Sequence, residues 1–201
     1  GRETHRGAHQ AIGKGGLFLS TLSRAIVVSM GTGTAYVMAD EQGEVHIGGT
    51  GVGGGTLLGL SNKMLNVRRF DDLIAMAEGG ELAHVDLNIG DITQDQIVGL
   101  PPETTASNFG KISDLATKAD IALGIINLVF QTIGMLAVFA TRIYKTPDVV
   151  LTGNLTNVPQ SRVIFEMLHR MYQVQFHTPP NAEFATATGA ALSLPTAGNR
   201  L

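Results

Sequence analysis

The chain has 201 residues, of which 44% are hydrophobic and 15% charged. That balance excludes disorder for the bulk of the chain and leaves enough apolar residues for a buried core. A net charge of −3 gives no basic footprint for nucleic acid, and the absence of cysteine excludes a disulfide scaffold, a thiolate nucleophile and Cys-ligated metal. Residues 1–10 are polar and lack the basic-then-apolar pattern of a secretory leader, so a cytoplasmic location is expected. The 25 glycines are the informative excess, and they are densest between Gly31 and Gly59.

In chain order, residues 1–16 read as a loop or helix remnant. Ala25 to Met30 (AIVVSM) is a short β-branched strand that ends at Gly31-Thr-Gly-Thr. Ala35 to Ala39 resumes as a second strand, Asp40 to Gly43 turns, and Val45 to Ile47 forms a third. The glycine run from Gly48 leads into a helix on which Leu57, Leu58, Leu60, Met64 and Leu65 recur at helical spacing. Phe70 to Glu78 is a second short helix, with Asp71 and Asp72 near its start where the helix dipole favours anions. Residues 79–110 are a Gly/Pro/Thr-rich connection. Ser113 to Tyr144 predicts a long helix or two joined ones, ended by Pro147. Within it, Ile121 to Ala140 has 20 residues without a charge, enough to cross a bilayer. Asn127, Gln131 and Thr132 sit at its middle, and Asn127 and Gln131 share a face. The polar middle favours a helix buried between protein layers or at a dimer seam, not a membrane span. Asp148 to Thr152 is a strand, and Ser161 to Tyr172 a helix with Val163, Ile164, Met167, Leu168 and Met171 on one side. Val174 to Phe176 is a last strand and Ala185 to Leu192 a small-residue helix. The mixture predicts an α/β fold: a β-meander continued by parallel strands, with helices packed on the sheet.

Two loops could carry chemistry. In Ser29-Met-Gly31-Thr32-Gly33-Thr34, alternate glycines free backbone amides to face an anion and the threonines add hydroxyl donors. A tight β-turn is the competing reading. The second loop, Gly48 to Thr56, holds six glycines in eight residues and opens an apolar helix. A helix start presents unpaired N–H groups and partial positive charge, which suits phosphate. Ordering so many glycines is entropically costly unless something must approach the backbone closely, so phosphate or nucleotide contact is favoured over a flexible hinge. The loop lacks the Gly-Lys-Ser/Thr ending of a Walker motif, and no dinucleotide-binding βαβ unit surrounds it.

Taken together, VVSMGTGTAYV (27–37), IGGTGVGGGTLLGL (47–60), the helix from Phe70 to Ala77 with Gly79-Gly80, Ala106-Ser-Asn-Phe-Gly110, Val150-Leu-Thr-Gly-Asn154 and Ala187-Thr-Gly-Ala-Ala-Leu192 resemble the type II pantothenate kinases of the eukaryotic and staphylococcal kind. That family belongs to the acetate kinase/sugar kinase/Hsp70/actin superfold. The resemblance implies an actin-like ATPase (ribonuclease H-like) lobe and ATP-dependent phosphorylation of pantothenate, the first step of coenzyme A biosynthesis, with ATP and Mg2+ as cofactors. It implies ATP-binding roles for Gly31, Gly53, Gly54, Gly55, Gly153 and Asn154. It places Thr32, Gly33, Thr34 and Ala106 beside the acceptor, pantothenate or a similar small hydroxyl compound. It also implies a homodimer through the 113–144 helix; the charge balance and the polar middle of that helix lead us to expect no nucleic-acid or membrane partner.

Three positions depart from the family pattern. Residues 1–25 do not resemble the family's opening strand and Asp-x-Gly-Gly-Thr loop. The expected division is therefore 1–24, a remnant of the N-terminal lobe or linker, and 25–201, the C-terminal kinase lobe. The family's general-base glutamate falls at Ala8, which has no group to take a proton; Glu3 is five residues too early. The arginine that holds the pantothenate carboxylate falls at His46, which cannot offer a bidentate fork. A non-catalytic nucleotide-binding or dimerising remnant, or a related kinase with a different acceptor, are the alternatives. His5 and His9 are four apart and with His46 could make a metal site, but such a near-terminal pair is expected to be solvated and idle; Asp91, Asp95 and Glu103 read as a solvated loop.

Overall fold

The computed structural model describes residues 2–93, 95 and 101–194, with side chains from residue 7 onward. These fall into two compact units, one made of Gly1–Thr50, Leu136–Asn157 and Val174–Leu201 in their described parts, the other of Gly51–Met135 and Val158–Gln173.

The first unit is built on a five-stranded sheet: β1 (Ala25–Met30), β2 (Thr34–Asp40), β3 (Gly43–Thr50), β6 (Asp148–Thr152) and β7 (Gln175–His177), in the order β3-β2-β1-β6-β7. The meander β1–β2–β3 is antiparallel, whereas β1–β6 and β6–β7 are parallel. The continuous apolar run of β1 explains its central place, since a strand covered on both faces needs no polar alternation; Ala25 through Val28 have no exposed surface. Between β2 and β3 the register slips: Tyr36 faces Gly48 but Val37 faces His46, so Ile47 is an extra, bulged residue. Where the sequence suggests a loop or helix remnant over 1–16, residues 2–16 belong to a long helix, α1 (Arg2–Ser20). Ile12 packs with Ala25, Val27, Val37, Ala39 and Val150 in one apolar cluster. Helix α1 also lies against α7 (Ala185–Leu192) at backbone distance. A Cβ on Gly15 would strike the Ala185 carbonyl, and one on Gly189 would strike the Ala11 carbonyl.

The second unit is mainly helical, with α2 (Gly54–Leu65), α3 (Phe70–Met76), the short α4 (Ile89–Ile92), most of α5 (Lys118–Tyr144) and α6 (Gln160–Tyr172). A two-stranded ladder, β4 (Leu87–Asn88) with β5 (Thr105–Ser107), lies in the connection that the sequence left irregular. Two apolar faces differ from expectation. Helix α2 buries Gly54, Leu57, Ser61 and Leu65, while Met64 is exposed. Helix α6 buries Ser161, Ile164, Phe165 and Leu168, and leaves Val163 in solvent. In both, the i, i+3/i+4, i+7 face is completed by a serine whose hydroxyl returns to a backbone carbonyl, which hydropathy alone does not rank as buried. Phe165 meets Phe130 edge-on at 5.9 Å between ring centroids. Helix α5 is long and apolar enough to cross a membrane, yet Ile125, Ile126, Val129, Phe130 and Ile133 are fully buried inside the protein.

Helix α5 starts five residues later than Ser113, at a capping box. Thr117 N–H donates to Asp120 Oδ2 (2.9 Å) and Asp120 N–H to Thr117 Oγ1 (3.2 Å). The buried Asp120 also accepts from Glu81 N–H at 2.7 Å and faces His84 Nδ1 at 3.1 Å. The Glu81 amide first, then the Thr117 donors, hold its carboxyl well below the usual carboxylate range. A depressed folded pKa stabilises the fold above the unfolded value and ceases to do so as pH falls. Asp120→Ala should therefore cost about 1–3 kcal/mol near neutrality. In urea titrations the gap to the wild type should narrow progressively below about pH 4.

Candidate functional site

In the first unit the parallel pair β1–β6 ends in two glycine turns. After Met30 the chain turns through Gly31-Thr32-Gly33, where Gly31 N–H donates to the Gly33 carbonyl at 2.9 Å. Gly31 and Thr32 are exposed, whereas Thr34 is buried as the first residue of β2. A Cβ at Gly31 would meet nothing nearer than the Gly33 carbonyl at 3.7 Å, so the space over this turn is open. After Thr152, whose hydroxyl donates to the Val28 carbonyl at 3.2 Å, Gly153 takes φ +90°. A Cβ there would lie 2.5 Å from the Met30 carbonyl. The turn is pinned by Gly153 N–H to the Ala182 carbonyl (2.9 Å) and by Thr156, which returns its N–H and hydroxyl to the Gly153 carbonyl. Gly31, Thr32, Gly33, Thr34, Gly153 and Asn154 thus gather at one edge, the carboxyl ends of parallel strands, where open α/β sheets form their ligand crevices.

The remaining candidates belong to the second unit. Gly53 precedes α2 in an extended conformation, and Gly54 and Gly55 are its first residues. Thr56 Oγ1 accepts from Gly53 N–H at 3.2 Å and donates to the Gly51 carbonyl at 3.1 Å. The protein's own hydroxyl therefore takes the amide just before the helix and braces the glycine loop. Ala106 is exposed in β5. The β4–β5 register pairs Leu87 with Ser107 but Asn88 with Thr105, which leaves Ala106 as the extra residue of a bulge.

A family model described as Fumble matches residues 22–179. The chain belongs to the Fumble family, that of the type II pantothenate kinases. It is 34% identical over 173 residues to a protein of Oceanobacillus iheyensis named type II pantothenate kinase, across 84% of this chain and 64% of that protein. It is 28% identical over 172 residues to the protein of the same name from Staphylococcus epidermidis (strain ATCC 35984), again across 64% of the relative. The chain thus spans a little under two thirds of the curated relatives it matches. Among solved structures, the activator of the 2-hydroxyisocaproyl-CoA dehydratase from Clostridium difficile, with bound ADPNP, superposes with a TM-score of 0.55 at 17% identity, covering 92% of this chain and 63% of that one. This likeness shows the fold, an actin-like ATPase α/β architecture, as the sequence led us to expect.

The positions that depart from the family pattern are also placed. Ala8 is exposed on α1. Its neighbour, the half-buried His9, stacks on His46 of β3 with ring centroids 3.8 Å apart and planes 17° off parallel. The side chain of His5 lies outside the described residues, and no group of three His, Asp or Glu that could hold a metal occurs among the described ones. Asp91 is more than a solvated loop residue. It accepts from Lys111 Nζ at 2.6 Å and from Asn88 N–H at 3.0 Å, and these hydrogen bonds, Lys111 first, lower its carboxyl pKa. Asp95 is exposed at a bend and Glu103 is exposed. What the sequence did not reveal is Asp86, fully buried beneath the β4–β5 ladder and ringed by side-chain and backbone donors. A lone aspartate between valine and leucine gives no hint of such partners.

Gly153 offers a direct check on the close approach of the β6 turn to β1. Gly153→Ala combines a left-handed backbone with a clash on Met30 and should lower stability by about 1–3 kcal/mol in chemical denaturation. Asn154→Ala, at an exposed neighbouring position, should change stability by less than about 0.5 kcal/mol.

Proposed function

We propose that this chain forms the nucleotide- and acceptor-binding part of a kinase that transfers the γ-phosphoryl group of ATP to the primary hydroxyl of pantothenate, giving 4'-phosphopantothenate, the first step of coenzyme A biosynthesis in the cytoplasm. The observation that carries the reading is the Fumble match over residues 22–179. The open glycine turn at the carboxyl ends of β1 and β6 supports it. In this reading residues 25–201 are the C-terminal kinase lobe and 1–24 a remnant or linker from the N-terminal one. Gly31, Gly53, Gly54, Gly55, Gly153 and Asn154 line ATP; Thr32, Gly33, Thr34 and Ala106 border the acceptor.

Phosphoryl transfer rests on alignment and charge neutralisation. The acceptor oxygen bonds to the γ-phosphorus, the bond to the β-phosphate bridging oxygen breaks, and the hydroxyl proton leaves to a base. Gly31, Gly53 and Gly153 already donate their N–H groups within the protein, so the phosphate oxygens would be met by the amides of Gly54 and Gly55 that open α2, and a Cβ at Gly31 would stand in the open space over its turn. Mg2+ at such sites keeps several waters and is held largely by phosphates, so a protein cage of three carboxylates is not required. Ala8 offers only a methyl group where the family pattern puts its base. That favours, as a second reading, a non-catalytic nucleotide binder; His46 in place of arginine favours a kinase with another acceptor.

Gly31→Ala separates these readings, because a Cβ at that position meets nothing nearer than the Gly33 carbonyl at 3.7 Å. Calorimetry with ATP and Mg2+ should give affinity for the wild type and about 10-fold or greater weakening for the variant, because the added side chain keeps the ligand off the turn's backbone. Absence of wild-type ATP binding would overturn the nucleotide site. ATP binding without turnover of pantothenate would select the non-catalytic reading, and turnover of another small alcohol alone would select the sister kinase.

The partner we propose is a second copy of the chain, joined through α5. Leu136, Phe139 and Ile143 stand on one side of this helix, 38%, 48% and 70% exposed. Phe139→Glu with Ile143→Glu should convert a dimer to a monomer in sedimentation, with helix content unchanged.

A further inference from the structure

Asp86 has no exposed surface. Its Oδ1 accepts from Phe109 N–H at 2.9 Å. Its Oδ2 faces Asn127 Nδ2 at 2.7 Å, Asn108 Nδ2 at 3.3 Å and Thr105 Oγ1 at 3.4 Å. Every one of these donors is neutral. A buried carboxylate is costly unless it is richly hydrogen-bonded, and this one reaches three positions of a single five-residue segment, 105–109, plus one anchor on α5.

That segment is shaped unusually. Ala106 is the bulged residue of β5. Phe109 holds a left-handed backbone, φ +59°, which a bulky residue adopts only when its surroundings impose it. Gly110 N–H closes a turn onto the Ser107 carbonyl at 3.1 Å, and the Phe109 ring lies over Gly124 of α5, where a Cβ would be 3.2 Å from Cζ. Asp86 therefore binds both flanks of the bulge: the Thr105 hydroxyl before Ala106, and the Asn108 amide and Phe109 N–H after it. Bulges re-aim a side chain and cluster beside active sites. Asn127 supplies the fixed point, since it sits on the rigid, buried core of α5.

We infer that Asp86 is a positioning residue: it clamps the 105–109 bulge so that Ala106 is presented in one fixed place as a wall of the acceptor site. The assignment of Ala106 to the acceptor rests on the function proposed above; the clamp itself does not. Its chemistry also sets its limits. Asp86 is out of reach of solvent, so it touches neither the acceptor nor the nucleotide, and it acts through backbone geometry.

The test is Asp86→Asn, which replaces one acceptor oxygen by an NH2 group facing donors. Thr105→Val removes one hydroxyl, which donates to Asp86 and accepts from Asn127 Nδ2, and serves if Asp86→Asn fails to fold. Amide hydrogen exchange on the full chain should show protection of the Phe109 amide reduced about 10-fold or more in Asp86→Asn, with the amides of β1 unchanged. Thr105→Val should loosen Ser107 and Phe109 to a smaller degree. Calorimetric titrations should show pantothenate affinity falling about 10-fold while ATP affinity is retained, a split that general destabilisation would not produce. Unchanged exchange at Phe109 in both variants overturns the clamp. Loosened exchange with unchanged pantothenate affinity overturns the link to the acceptor. If the wild type binds no pantothenate, the functional reading fails and the link to the acceptor falls with it; the clamp is then decided by exchange alone.

Discussion

The parallel register of β1 and β6 is the constraint on which the first unit's candidate site depends. Because Ser29 pairs with Thr152, both strands end together, and the turns that follow must share the same few ångströms. Gly153 satisfies that by bringing bare backbone against the Met30 carbonyl, at a φ that other residues resist. Thr152 closes the pair from below with its hydroxyl on Val28. The outcome is an edge where two loops meet with few side chains in between. Such an edge is suited to a ligand that is recognised through its own oxygens.

The second unit solves a different problem. A helix as apolar as α5 buries well, but its ends and its polar middle must still be satisfied. At the start, Thr117 and Asp120 close the cap and reach the 81–84 turn. In the middle, Asn127 meets Asp86, and Gln131 accepts from Asn108 at 3.5 Å. Two aspartates thus tie the irregular connection to the helix, one at each level. This is why a stretch rich in Gly, Pro and Thr can hold a defined shape without a core of its own.

Much of this was legible beforehand. The boundaries of β1, β6 and α7 match their sequence patterns residue for residue, because each is a continuous apolar or small-residue run between turn formers. The polar pair Asn127 and Gln131 marks the middle of α5 as buried, and their partners Asp86 and Asn108 account for it. The glycine loops stood out because their composition is expensive without a purpose. The rest was hidden for physical reasons. Serines at buried positions of α2 and α6 look polar in sequence but return their hydroxyls to the backbone. The β4–β5 ladder is two or three residues long, below the reach of any alternation pattern. Asp86 and the His9–His46 stack depend on residues 19 to 41 and 37 positions apart, and spacing at that range carries no signal.

The close apposition of α1 and α7 has a consequence for how the molecule comes into being. Gly15 and Gly189 touch backbone to backbone, although 174 residues separate them, and the sheet they border is assembled from three stretches of chain. Loop closure over such distances is slow, and this half of the molecule cannot mature until α7 has been made. The more contiguous helical half can settle while the ribosome is still at work. Until α7 arrives, the flank of α1 around Ala11 and Gly15 waits uncovered.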